Sequence, residues 1–339
     1  MVSQFNIIYL FFSFLLFTIF GCDNKRDALG ADNEIRVICS ETDKINIENF
    51  LESIFNDTLY TPEPEPHYIL KFSNPKTYSQ LKKQTNVIIG AIDRDFANPG
   101  IDLVKRILPV KQFESMLFND PVILAKDVHA KNQLFMVINA KSTEQLSGFI
   151  NEKRNYIRKN FNDQFKFRQG RYLFNKNNTN SLKDSLLNEF GWSMDLPWGW
   201  DIIKKVPDSN FVWLGKEMPY QWIGIGWKKG NIVRNELSIG KYIWEWPKNN
   251  YKTIQFSDYK FELVKADYKK FLAWRATGVW ETINLLESKG GPFRSYVFYD
   301  SEKDLTYHIN YLIFYPGNSK SIFFRQADMI LRTFKSQQL

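Results

Sequence analysis

The sequence predicts an α+β protein with two mixed or antiparallel sheets, each covered by helices, and a strand-rich C-terminal half. Three observations predict it. In the first half of the 339 residues, helix-period and strand-period segments alternate, whereas β-branched and aromatic alternation dominates the second half. Aromatic residues make up 16% of the chain, a share that favours pleated, half-buried surfaces. All ten tryptophans fall between Trp192 and Trp280, a break in composition that divides the chain in two.

The elements of the first half follow in order. Residues 34–40 (EIRVICS) read as a strand. Ile47, Phe50, Leu51, Ile54, Phe55 and Leu59 then recur at helical spacing. Residues 61–66 (TPEPEP) cannot continue that helix, because proline lacks the donor N–H and clashes with the preceding turn; an extended spacer is expected. A strand over 67–72, a short helix with Tyr78 and Leu81, and the apolar run 86–92 (NVIIGAI) come next. Further strands are read at 122–125 and 133–140. Ser142 opens a long helix, with Gln145 placed to complete a capping pair and Leu146, Phe149, Ile150 and Ile157 on its apolar face.

The polar, Asn-rich stretch 168–180 marks the seam, followed by an apolar-periodic segment over 181–190. Beyond it, strands are expected at 192–196, 210–214, 221–227, 242–246, 276–285, 293–299 and 306–315. A closing helix over 321–334 turns Ile322, Ala327, Ile330, Leu331 and Phe334 inward. The expected organisation is a leader over 1–21, a tether over 22–33, an α+β domain over 34–165, a connector over 166–189 and a tryptophan-rich α+β domain over 190–339.

The first residues carry an address. Residues 7–20 (IIYLFFSFLLFTIF) are apolar save for Ser13 and Thr18. As a helix they span roughly 21 Å, short of the roughly 30 Å of a bilayer core, which suits a signal peptide better than a membrane span. Ile19-Phe20-Gly21-Cys22 resembles a lipobox: an aliphatic residue, a small one, then the cysteine whose thiol takes the diacylglycerol. The resemblance implies cleavage before Cys22, fatty-acyl (palmitate-type) modification and attachment of a lipoprotein to a membrane of the cell envelope. Residues 23–32 (DNKRDALGAD) suit a flexible tether. Once Cys22 is alkylated, Cys39 has no partner, and its apolar strand suits a small core residue. The net charge is +8, carried by scattered Lys and Arg rather than a basic run, so no nucleic-acid partner is expected.

Motifs for chemistry are sparse. His67, His129 and His308 stand alone, with no metal-ligand spacing, so neither a metal nor another cofactor is expected. Gly224-Ile225-Gly226 lies within the alternating run WIGIGW and has no phosphate-loop context; its glycines suit close packing. No GxSxG elbow occurs. Carboxylates are plentiful; Asp93 and Asp95, just after a strand, are one example of a pair placed for acid–base work, a placement that any turn also favours. Trp198 and Trp200 flank a glycine in LPWGW, and Trp244 and Trp246 are read on one strand face; exposed, these four form a candidate sugar-binding platform, and buried, they are core.

The ordered set of segments resembles the family known as domain of unknown function 4837, envelope lipoproteins of Bacteroidota. The resemblance rests on Asn33-Glu34-Ile35, the Pro-Glu-Pro around Pro64, the strand 86–92, and Lys126 through Gln133 leading into 134–138. In the second half it rests on Phe190-Gly191, Leu196-Pro197, Gly199-Trp200, residues 210–214, Gly278-Val279-Trp280 and Gly290 through Phe293. It implies a lipoprotein and no catalytic residues. The expectation is a non-catalytic envelope protein that binds a partner protein or an envelope component. The alternatives are a glycan-binding module using the C-terminal tryptophans and an envelope hydrolase.

Overall fold

The computed structural model describes residues 25–61, 63–92, 97–175, 182–233 and 235–337. Cys22, the leader before it, and the Asp93 and Asp95 pair lie outside the described residues. The protein is α+β, with eight helices among the described residues. They divide into two units, one of residues up to 48 with 70–152 and the other of 49–69 with 153–339. Among the described residues no helix is long and apolar enough to cross a membrane.

The first unit is built on a five-stranded mixed sheet. Strand β1 (Glu34–Cys39) leads into helix α1 (Glu41–Ile54), then β2 (Ile69–Ser73), helix α2 (Tyr78–Leu81) and β3 (Asn86–Ala91). Helices α3 (Pro99–Ile107) and α4 (Val110–Met116), which periodicity did not reveal, precede β4 (Val122–Lys126) and β5 (Leu134–Asn139). The strand order is β2-β1-β3-β5-β4. β1, β3 and β5 run parallel, with Val37 opposite Ile88 and Val87 opposite Phe135, and β4 closes the edge antiparallel to β5. β3 and β5 are buried throughout, which is why both read as unbroken apolar runs.

Helix α1 starts at Glu41, earlier than its apolar spacing indicated, because Ser40 caps it. The Ser40 hydroxyl accepts from the Asp43 N–H at 3.2 Å. Cys39 is buried, and burial followed by the charge of Asp43 pushes its thiol up to about 12, so it serves as core.

The second unit carries the larger sheet. Helix α5 (Thr143–Leu173) runs into it, so a helix occupies the start of the stretch read as a connector, and α6 (Leu182–Phe190) occupies its end. Strands β6 (Asp201–Val206), β7 (Phe211–Lys216) and β8 (Tyr220–Lys229) precede helix α7 (Glu236–Asn250). β9 (Ile254–Phe256), β10 (Glu262–Tyr268), β11 (Phe271–Thr282), β12 (Gly290–Asp300), β13 (Leu305–Phe314) and helix α8 (Ser321–Leu331) follow. The order is β9-β11-β12-β13-β8-β7-β6, with β10 also on β11, and the pairings are antiparallel.

The central strands of this sheet are buried on both faces, while the edge strand β6 is largely exposed. Leu186 of α6 and Phe324, Ala327 and Ile330 of α8 share a core with Ile223, Ile225 and Tyr296. Ile239, Ile243 and Trp246 of α7 cover the other face over Phe211, Trp280 and Phe293. The alternation of side chains along the central strands feeds both cores at once, as Phe293 and Tyr296 of β12 do.

One expected strand is a helix. Residues 242–246 lie inside α7, where the Asn235 side chain accepts from Ser238 N at 2.9 Å and Ile239, Ile243 and Trp246 recur at i, i+4 and i+7. The aromatic alternation Tyr242-Trp244-Trp246 suggested period two, but the apolar stripe that packs has a helical period. The proline-rich spacer has a local role too. Glu65 accepts from the backbone N–H groups of Lys320 (2.6 Å) and Ser321 (3.2 Å), supplying acceptors at the start of α8.

A candidate saccharide cleft around Trp198

The four tryptophans expected to form a platform do not come together. Trp200 is 1% exposed and Trp246 is 3% exposed, both in cores. Trp244 is half-buried, its ring edge-to-face with Phe261 at 5.1 Å. Helical geometry separates Trp244 from Trp246, since residues two apart project in different directions. Trp198 alone of the four is exposed, at 77%.

Local chemistry explains its exposure. Pro197-Trp198-Gly199 forms a turn in which Gly199 takes φ +88, a conformation that disfavours side chains. A Cβ at position 199 would sit 3.4 Å from Lys216 Cε, so the lysine stem runs along the glycine backbone. The turn thus presents the indole outward while Trp200, two residues on, enters the core.

Around Trp198 lies a cleft of about 530 Å³ within the second unit. Tyr172 and Met218 stand on it, 67% and 82% exposed. Its polar groups include three amides and one ammonium. Gln221, on β8, is buried, and its carboxamide oxygen accepts from the Tyr311 hydroxyl at 3.0 Å, which leaves the amide N–H groups to donate elsewhere. On α8 and α5, Gln326 donates to Gln169. Lys216 is half-buried, has no carboxylate partner among the described residues, and burial alone lowers its pKa below the ordinary lysine value.

An exposed indole beside amide and ammonium donors offers an apolar platform and hydrogen-bond donors at once, the composition of a site for a polar ring. Sequence reasoning found Trp198 but missed Gln221, Lys216 and Tyr172. They come from three separate elements, and no local pattern connects them.

The three histidines and the Gly224–Gly226 pair resolve into packing. His308 is fully buried, and burial lowers its pKa to about 3. The His67 value falls to about 4, through burial and then the charge of Arg325. In His129 burial is again the first cause of a lowered value, and its ring pairs with the Tyr78 hydroxyl at 2.7 Å. Among the described residues no group of three or more His, Cys, Asp and Glu is placed to hold a metal ion. Gly224 and Gly226 lie against the aromatics of α7 and its end: a Cβ on Gly224 would come 2.7 Å from the Trp246 ring, and one on Gly226 3.3 Å from its Nε1.

No curated protein matches this chain. Three solved structures are similar over part of it. A Bacteroides thetaiotaomicron VPI-5482 protein is 13% identical at a TM-score of 0.27, with 44% of this chain and 46% of that one covered, so the chain spans under half of that protein. The Saccharomyces cerevisiae Ran-binding protein Mog1p is 11% identical at a TM-score of 0.31 (43% of this chain, 90% of that one), and a point mutant of Mog1 is 10% identical at 0.30 with the same coverages. Residues 179–333, which hold every strand of the second unit's large sheet together with Trp198, match the family model described as a domain of unknown function (DUF4837).

Proposed function

We propose that the protein is a lipid-anchored binding protein of the bacterial cell envelope that holds a saccharide at the Trp198 cleft without transforming it. The observation that carries the binding reading is an indole 77% exposed beside a buried Gln221 whose amide N–H groups are left to donate. The indole supplies the apolar face of a sugar ring with a platform. Gln221 and the Lys216 ammonium supply donors for its hydroxyls. The anchor rests on the lipobox-like sequence at Cys22 and on the tether after it. The non-catalytic reading rests on a sequence without a nucleophile elbow or metal-ligand spacing. A partner protein inserting an apolar side chain between Tyr172 and Met218 is the second reading, favoured by the exposure of those two residues.

The test is tryptophan fluorescence of the full chain in detergent, titrated with a panel of neutral and acidic cell-surface oligosaccharides. A saturable spectral change that Trp198→Phe reduces and Trp198→Ala abolishes supports the saccharide reading. If no sugar in the panel changes the emission, or if Trp198→Ala responds as the wild type does, the saccharide reading is withdrawn.

A further inference from the structure

A second cleft, of about 780 Å³, lies in the second unit among residues 57–67, α5, strands β10 to β12 and helix α8. Its lining is cationic: Lys166, Lys260, Arg275, Arg294, Arg325 and Arg332 against Asp57, Glu262 and Asp328. Most of these cations already have partners. Arg325 donates to the His67 carbonyl (3.2 Å), the Tyr68 hydroxyl (2.9 Å) and Asn162 Oδ1 (3.0 Å), and lies over the rings of Phe165 and Tyr68. Arg294 and Arg332 share Asp328 at 3.1 and 3.3 Å, and the Tyr296 hydroxyl donates to the same carboxylate at 2.7 Å. Lys260 sits 4.7 Å over the Tyr60 ring.

Arg275 is different. Its side chain has no hydrogen bond or ion pair among the described residues, and its Nε is buried without an acceptor. The Arg294 Nε is buried and unpaired as well. The two belong to one sheet face: Arg275 of β11 stands opposite Tyr296 of β12, and Arg294 is two residues from Tyr296, so the guanidiniums are diagonal neighbours. The nearest acid in register, Glu262 opposite Thr277, accepts from the Thr277 hydroxyl at 3.4 Å. Asp328 is taken up by its three donors. A buried guanidinium N–H without an acceptor is costly, and the described residues offer the Arg275 Nε none.

We infer that the Arg275 guanidinium is the receptor for an oxyanion, a carboxylate or a phosphate, carried on a ring or other apolar body. Arginine holds planar or tetrahedral oxyanions through two parallel N–H donors, which lysine cannot do. The neighbouring Arg294 Nε supplies a further donor. Tyr60, 41% exposed, and Phe324, whose ring lies 4.7 Å under the Arg294 guanidinium, supply the apolar wall against which the body of the ligand rests. This site is separate from the Trp198 cleft in its lining residues and stands whether or not that cleft takes a sugar.

The experiment uses the full chain in detergent, titrated calorimetrically with phenyl phosphate and, separately, with benzoate. At least one probe is expected to saturate, and the tighter one assigns the oxyanion. Arg275→Gln weakens it by about tenfold or more, the equivalent of one charged, two-pronged contact. Trp198→Ala leaves it unchanged. The Arg275 Nε–H proton resonance moves downfield on saturation, a readout that a change in folding alone does not reproduce. The inference is overturned if neither probe saturates by about 10 mM, a bound weaker than a specific contact of this kind gives. It is equally overturned if Arg275→Gln binds as tightly as the wild type.

Discussion

Trp246 and His308 pack ring on ring at a centroid distance of 4.2 Å, and neither imidazole nitrogen of His308 has a hydrogen-bond partner among the described residues. Burial keeps His308 neutral and lowers its pKa to about 3. The unfolded chain, with a histidine near 6.5, therefore binds a proton that the folded chain refuses. Stability is fully present above pH 6.5 and falls as the pH drops from 6.5 towards 3, by about 1.4 kcal/mol per pH unit from this residue. His67, lowered to about 4, adds a second decline in the same direction. Denaturant midpoints at pH 7, 6 and 5 should fall in order, and His308→Leu should flatten the slope by about one proton. An unchanged slope in that variant would remove His308 as the cause.

Gly224 is the point where α7 and its C-terminal end meet the sheet. A Cβ there would lie 2.7 Å from the Trp246 ring and closer still to the hydroxyl of Tyr251, which donates to Asn310 at 2.8 Å. Gly224→Ala should cost about 1–3 kcal/mol through overpacking. Gly148, in α5, has open space around its Cβ position, and Gly148→Ala should stabilise by about 0.5–1 kcal/mol. Thermal denaturation of the pair checks both signs.

Asp43 ties the first unit together. Its carboxylate accepts from the Ser40 hydroxyl (2.9 Å), the Ile92 N–H (3.1 Å) and Asn98 Nδ2 (2.8 Å), joining the start of α1 to the end of β3 and the cap of α3. Asp43→Ala strands buried donors and should destabilise by about 3 kcal/mol, a lowered urea midpoint at pH 7. A loss below about 0.5 kcal/mol would mean that the donors find other acceptors.

Trp198 and Trp200 should behave as opposites. Trp198→Ala removes an exposed ring and should change stability by less than about 0.5 kcal/mol while abolishing any saccharide response. Trp200→Ala opens a core cavity and should cost about 3–5 kcal/mol. Comparing the unfolding curves of the two variants distinguishes surface from core directly.

The proposed anchor predicts a membrane-bound wild type whose intact mass includes a lipid adduct at Cys22, and an unprocessed Cys22→Ala that keeps its leader. If both forms fractionate alike and no lipid mass appears, the anchor is withdrawn, along with the inference that Cys39 lacks a partner.

By itself the sequence determined what local periodicity and composition carry: the α+β class, the buried runs that became β3 and β5, the Ser142 helix and the strand-rich second half. Each depends on interactions between residues a few positions apart, and these leave a repeat in the chain. The tertiary structure decided what distant residues share. Residues 242–246 lie in a helix because Asn235 caps it and Ile239, Ile243 and Trp246 cover the sheet, a contest that alternating aromatics could not reveal. Which tryptophan is exposed depended on a positive φ at Gly199 and on the cores that received Trp200 and Trp246. The unpaired state of Arg275 was invisible in the sequence for the same reason: whether a charge has a partner is settled by the register of β10 to β12 and the placement of α8, which bring residues far apart in the chain within a few ångströms.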